Sequence, residues 1–175
     1  MKSLKTLKLS GKEVLPLIEG GKGIAISSGE SSGAWSKAGG IGTFSGVNAD
    51  SYDKNGRIIP QVYHEKTRSK RHRELVDYSV TGAVEQAKIA RDIGGKNSAI
   101  HVNILWEMGA AETILSRTLD KAKGLIDGVT CGAGMPYKLS EIAASYKVYY
   151  YPIVSSARAF NALWKRSYKK TSEFL

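Results

Sequence analysis

Apolar and polar positions alternate along this chain in a way that predicts strands and helices in turn. Val14–Ile18 is a short apolar run that reads as a strand, followed by a brief helix over Ser31–Ala38 that Gly39 and Gly40 close. Ile41–Ser45 reads as the next strand. From Val47 to Tyr78 the periodicity lapses: the stretch is polar, holds the turn signal Asp53-Lys54-Asn55-Gly56 and ends in a basic run, so it is predicted to be a long insertion. A helical face then returns at Val84, Ala87, Ala90 and Ile93, with Gly94 and Gly95 as its stop. Ala99–Leu105 follows as a strand, Ala111, Ile114, Leu115, Leu119 and Ala122 mark a helix, and Leu125–Thr130 is another strand. Leu139–Ala144 is predicted as a short helix, Val148–Val154 as a strand, and Ala157–Tyr168 as a helix with Ala159, Phe160 and Leu163 inward.

A β-α alternation repeated about five times is the signature of a parallel α/β fold with crossover helices. A closed (β/α)8 TIM barrel takes eight units and about 250 residues, and an open doubly wound sheet can stop at five strands. The last residues, Ser167 to Leu175, leave a helix and end where a further strand would start, which predicts a barrel truncated after about five units. The expectation is one domain over residues 1–175, with the insertion at about 47–78.

Composition narrows the setting. With 42% hydrophobic residues the 175-residue chain can bury one sizeable core. A single cysteine, Cys131, excludes an internal disulfide framework, and no apolar stretch approaches the roughly 20 residues a membrane span needs. The basic start lacks the apolar core of a signal peptide, so the expected location is cytoplasmic. A formal charge of +10 suits an anionic partner, a phosphate-bearing cofactor or a soluble surface equally. The run His64–Arg73 has no interleaved aromatic platform and no recognised nucleic-acid motif, and reads as a solvated loop in preference to a nucleic-acid-binding module.

Candidate chemistry concentrates in two glycine clusters, Leu17–Gly46 and Gly128–Pro136, each after an apolar run and before a helical pattern. Glycine there lets a flat or phosphate-bearing ligand lie against backbone N–H groups. In the strand Ala99–Leu105, alternation puts Ile100, Val102 and Ile104 on one face and His101, Asn103 and Leu105 on the other. Asn103 then projects near the strand's C-terminal end, where its amide either pairs with a ligand or satisfies neighbouring backbone. Gly21, Lys22 and Gly23 are either a ligand-approach turn or a plain turn with a solvated lysine. Cys131 reads as a small buried residue before a nucleophile, and His101 as a satisfied core histidine before a base. His64 and His72 read as solvated, and three scattered histidines with one cysteine give no metal-ligand spacing.

In this order and spacing the motifs resemble the FMN-dependent nitronate monooxygenase family, also called 2-nitropropane dioxygenases, which is itself similar to the flavin-dependent enoyl reductases. The residues that carry the resemblance are Gly20-Gly21-Lys22-Gly23, Ala38-Gly39-Gly40-Ile41-Gly42, Val102-Asn103 and Gly132-Ala133-Gly134-Met135-Pro136. The resemblance implies a (β/α)8 barrel with FMN at the C-terminal ends of the strands, contacted by Gly21, Lys22, Gly23, Asn103, Cys131, Gly132, Ala133 and Gly134. It implies oxidation of a nitronate or nitroalkane with O2, or, in the enoyl reductase alternative, use of NAD(P)H. It also implies a partner: a C-terminal half of the barrel, or another copy of the chain. The family's later Ala-Gly-Gly-His-x-Gly motif, which holds its proposed catalytic base, does not occur here, and Lys22 stands where the family often has Met.

Overall fold

The computed structural model describes residues 4–171. A hairpin of β1 (Leu7–Leu9) and β2 (Lys12–Val14) precedes α1 (Gly29–Lys37) and β3 (Ile41–Ser45). Then come α2 (Arg68–Gly94), β4 (Ala99–Leu105), α3 (Ala111–Lys121), β5 (Gly128–Gly132), α4 (Leu139–Ser145), β6 (Tyr149–Pro152) and α5 (Ala157–Leu163). A π-helical segment, Trp164–Tyr168, continues α5 into α6 (Lys169–Thr171). Strands β3 to β6 form one four-stranded parallel sheet in chain order, the α/β class that the alternation predicted.

Register divides the sheet into two chemically different faces. Phe44, Val102 and Val129 stand in one row, Ile104 and Cys131 in the next, and all are fully buried against side chains of α2, α3 and α4 and of Leu163 and Tyr168. Gly42, in register with Ile100, lies against the Ser32 backbone of α1, so this helix covers the same face. Ser45, Asn103, Thr130 and Tyr151 form a row on the opposite face, with Thr43, His101, Gly128 and Tyr149 below it. Every helix described therefore packs on one side of the sheet, and the other side carries these polar rows above a small apolar patch where Ile41 and Ala99 meet Val14 and Leu9 of the hairpin.

The hairpin closes the lower part of that polar face. Its turn residue Ser10 places Oγ 2.7 Å from His101 Nε2 and 2.8 Å from the Tyr151 hydroxyl, and the His101 and Tyr151 rings stack at 5.0 Å. Gly128 makes the room for the His101 ring, since a Cβ there would stand 2.5 Å from Nε2.

Several expected elements shift. The strand expected over Val14–Ile18 is cut by Pro16, which has no N–H to give a ladder. What remains is β2 in the hairpin and a single parallel bridge from Ile18 to Ile41. The expected insertion shortens to 47–67, because the basic run forms the first turns of α2, with Thr67 capping the helix by accepting from Lys70 N. Val76, Val80, Ala83, Ala87 and Ala90 recur at helical spacing on the buried face of α2, whereas Ile93 lies partly exposed beside Gly33. β5 starts three residues later than expected and β6 is the shorter Tyr149–Pro152. Phe160 is 43% exposed; Leu163 and Tyr168 carry the inward face of the last helix in its place. The expectation of a stop before a further strand rests in part on residues 172–175, outside the described residues.

Gly82 is the tightest point of this architecture. It lies in the middle of α2 where the Ala49 carbonyl presses against its Cα, far inside van der Waals contact for any added Cβ. Alanine is intrinsically the better helix former by about 1 kcal/mol, whereas overpacking against backbone costs roughly 1–3 kcal/mol or more. Gly82→Ala is expected to lower the unfolding free energy by about 2 kcal/mol, measured by urea denaturation. A stabilised variant would show that α2 and the 47–50 segment do not meet as described.

Candidate functional site

The polar face carries a constellation at the C-terminal ends of β3, β4 and β5. Asn103 is 4% exposed and its Oδ1 accepts from Thr130 Oγ1 at 3.1 Å. Its Nδ2 has no protein partner among the described residues. The Gly20–Ser27 loop lies directly over it: Gly21 packs on the Asn103 side chain so closely that no Cβ fits at position 21. That loop is a tight structure, with Lys22 N donating to Ser27 Oγ at 3.0 Å, Ser27 Oγ donating to Gly20 O at 3.2 Å, and Ser45 N donating to Ser27 O at 2.8 Å. Gly23 leaves ordinary contact distance, 3.8 Å, to Ser45 Oγ, and Lys22 is exposed on the rim.

The second glycine cluster forms the turn after β5. Ala133 and Gly134 adopt positive φ of 54° and 115° and are exposed, and Ala133 O accepts from Glu107 N at 2.9 Å. Gly132 shares its face with Leu105 and abuts Ile153. Cys131 is placed differently from the other candidate residues. Strand alternation turns its thiol to the helix side, where it is fully buried among apolar residues and burial pushes its pKa up to about 12. Its side chain is therefore directed away from the constellation that Gly21 and Asn103 define.

His101 lies in the lower row, 1% exposed, with Nδ1 unpartnered. Burial holds its pKa down at about 4, so the ring is neutral at physiological pH; the Asp127 carboxylate opposes that shift without overcoming it. Among the described residues no group of three or more His, Cys, Asp or Glu side chains is arranged to hold a metal ion. No helix among them is long and apolar enough to cross a membrane.

Two features escaped sequence reasoning. Glu19 is buried at the base of the Gly20–Ser27 loop, where Oε1 accepts from Ser31 Oγ at 2.8 Å and Oε2 from Thr43 N at 3.0 Å. It ties the loop to α1 and β3, and the signal available was a lone carboxylate between an apolar run and a glycine pair. The second is a groove of about 890 Å³ lined by Tyr63, Lys66, Arg68, Ser69, Arg71, His72 and Leu75. None of the glycine-cluster residues lines this groove. His72, on its wall, comes within reach of Gly109 in the loop after β4, so the groove stands on the rim at the strands' C-terminal side.

No protein-family model matches the chain, and no curated protein matches it.

Proposed function

We propose that this chain is the N-terminal arc of a (β/α)8 barrel and that it serves an FMN-dependent oxidoreductase of nitronate monooxygenase type, acting on a nitronate or nitroalkane with O2. The observation that carries the reading is the meeting of Gly21 and Asn103. Two motifs more than 80 residues apart in sequence come into contact at the C-terminal end of a parallel strand, on the face free of helices. That is where α/β enzymes hold their ligands. Strands that run in chain order with every helix on one side have the connectivity of a barrel arc.

The residues fit the pyrimidine edge of a flavin in kind. Asn103 offers an uncommitted Nδ2 donor beside an acceptor oxygen, and the backbone of Gly21 and Gly23 has no side chain to bar a flat ring. FMN, when bound, supplies the electron-transfer chemistry. The chain's own contribution is to orient the ring through Asn103, with Thr130 fixing the amide's rotamer, and to place the Lys22 charge at the rim. The Gly20–Ser27 loop now covers Asn103, so ring binding requires that loop to lift. In the family that the chain resembles, glycine-rich turns that follow the Ala-Gly-Gly-His-x-Gly motif bind the FMN phosphate, and that motif does not occur here.

Weak flavin retention is the expected result: the chain purifies without stoichiometric FMN and binds added FMN reversibly. Asn103→Leu should weaken that binding by about 1–3 kcal/mol, the cost of leaving polar partners unpaired, with circular dichroism verifying the fold. Titration of flavin fluorescence measures both. Equal affinity in the two proteins would overturn the assignment of Asn103. Anaerobic bleaching of bound FMN by a nitronate, but not by NAD(P)H, distinguishes this function from the enoyl reductase alternative.

A partner follows from the same reading. The outer edge of β6 has no neighbouring strand among the described residues, and Ile153 and Val154, which directly follow it, are exposed. Unpaired strand edges with apolar flanks associate. Light scattering on the purified chain is expected to show self-association, and a stable, cooperatively unfolding monomer would favour a self-contained open sheet instead.

A further inference from the structure

The 890 Å³ groove is formed within one continuous stretch, where the end of the 47–67 loop, which contributes Tyr63 and Lys66, folds back beside the first turns of α2, which contribute Arg68, Ser69, Arg71, His72 and Leu75. Its charge is largely uncompensated. Glu65 pairs with Lys70 at 3.2 Å and its backbone oxygen accepts from Arg71 Nε at 2.7 Å, while Glu74 accepts the His64 and Glu65 N–H groups. These acids are occupied in folding the loop against the helix. Lys66, Arg68 and the His72 ring have no hydrogen bond or ion pair among the described residues, and all are exposed. Tyr63 is 47% exposed on the same wall, its hydroxyl accepting from Gln61 Nε2 at 2.6 Å. The sequence offered a basic run with no aromatic platform; the fold supplies one from just upstream.

We propose that this groove binds single-stranded nucleic acid, with Lys66, Arg68 and Arg71 on backbone phosphates and a base stacked on Tyr63. Free cations lining a groove with an accessible aromatic face are the two elements that recognise such a chain without sequence preference. The groove opens broadly to solvent and Lys66, Arg68, Ser69, Arg71 and His72 make up most of its lining, whereas a site for one small molecule is an enclosed cavity with few charged groups. This inference uses none of the residues assigned to the flavin site and stands or falls separately from it.

The test is fluorescence anisotropy of a labelled oligothymidylate of about twelve nucleotides, within the span that single-strand-binding folds cover, followed across a salt series. The wild-type chain should bind with an affinity that falls steeply with salt. The Lys66→Ala/Arg68→Ala double variant should lower the slope of log K against log salt by about 1.4, since each phosphate contact contributes about 0.7 for single strands. Tyr63→Ala should weaken binding by about 5- to 150-fold with the slope unchanged, because stacking releases no counterions. All three side chains are exposed, so the variants fold as the parent does. Absence of wild-type binding at low salt would overturn the proposal, as would a slope unaltered in the double variant. Duplex binding as tight as that of the single strand, or competition by FMN or a mononucleotide at equal concentration, would overturn it in favour of another phosphate-bearing ligand.

Discussion

Phe44→Ala is expected to lower the unfolding free energy by about 3–5 kcal/mol, the cost of removing a buried aromatic ring and leaving its cavity. Phe44 is fully buried on the first strand of the parallel sheet, in the cluster that joins Val102 and Val129 to Ala83 and Ala87 of α2. The surrounding groups are held by the sheet ladder and by alanines too short to collapse into the space, so little relaxation offsets the loss. A domain of this size has about 5–15 kcal/mol in hand, and the variant would be near its folding threshold. Urea denaturation with an unchanged slope measures the effect. A loss below about 1 kcal/mol would mean that α2 does not cover this face of the sheet.

Stability is expected to fall on acidification, through His101. In the folded chain burial depresses its pKa from the ordinary 6.5 to about 4. Between those values the unfolded chain binds a proton that the folded chain refuses. The stabilisation is therefore complete above pH 6.5 and is lost progressively as pH falls towards 4, where both forms are protonated and the loss levels off. At about 1.4 kcal/mol per pH unit the full loss is about 3 kcal/mol. The geometry explains why nothing rescues the proton: Nε2 is engaged by Ser10, the ring is stacked on Tyr151, and Nδ1 has no acceptor. Denaturant midpoints at neutral pH and near pH 4.5 measure it, and His101→Asn should flatten the dependence. An equally steep dependence in that variant would assign it to other groups.

Much of the candidate site was legible residue by residue. Alternation alone put Asn103 opposite Ile100, Val102 and Ile104, and the structure keeps that division. The same rule, applied to β5, turns Cys131 with Ile104 towards the helices, although the resemblance counted it among the flavin contacts. Cluster membership in sequence says nothing about which face a side chain takes. Basic composition likewise hid the start of α2, because Val76 and Val80 supply its buried stripe only when the count begins inside the charged run.

By itself the sequence determined the α/β class, the chain-order alternation of strands and helices, and the positions of β3 and β4 to the residue, because these depend on local periodicity and on glycine stops. Tertiary structure alone decided which distant segments meet. Gly21 rests on Asn103, and Ser10 reaches His101 and Tyr151. Such contacts depend on strand register and on a loop's path over the sheet. Neither leaves a periodic trace, since each is fixed by packing between segments and not by the pattern within one.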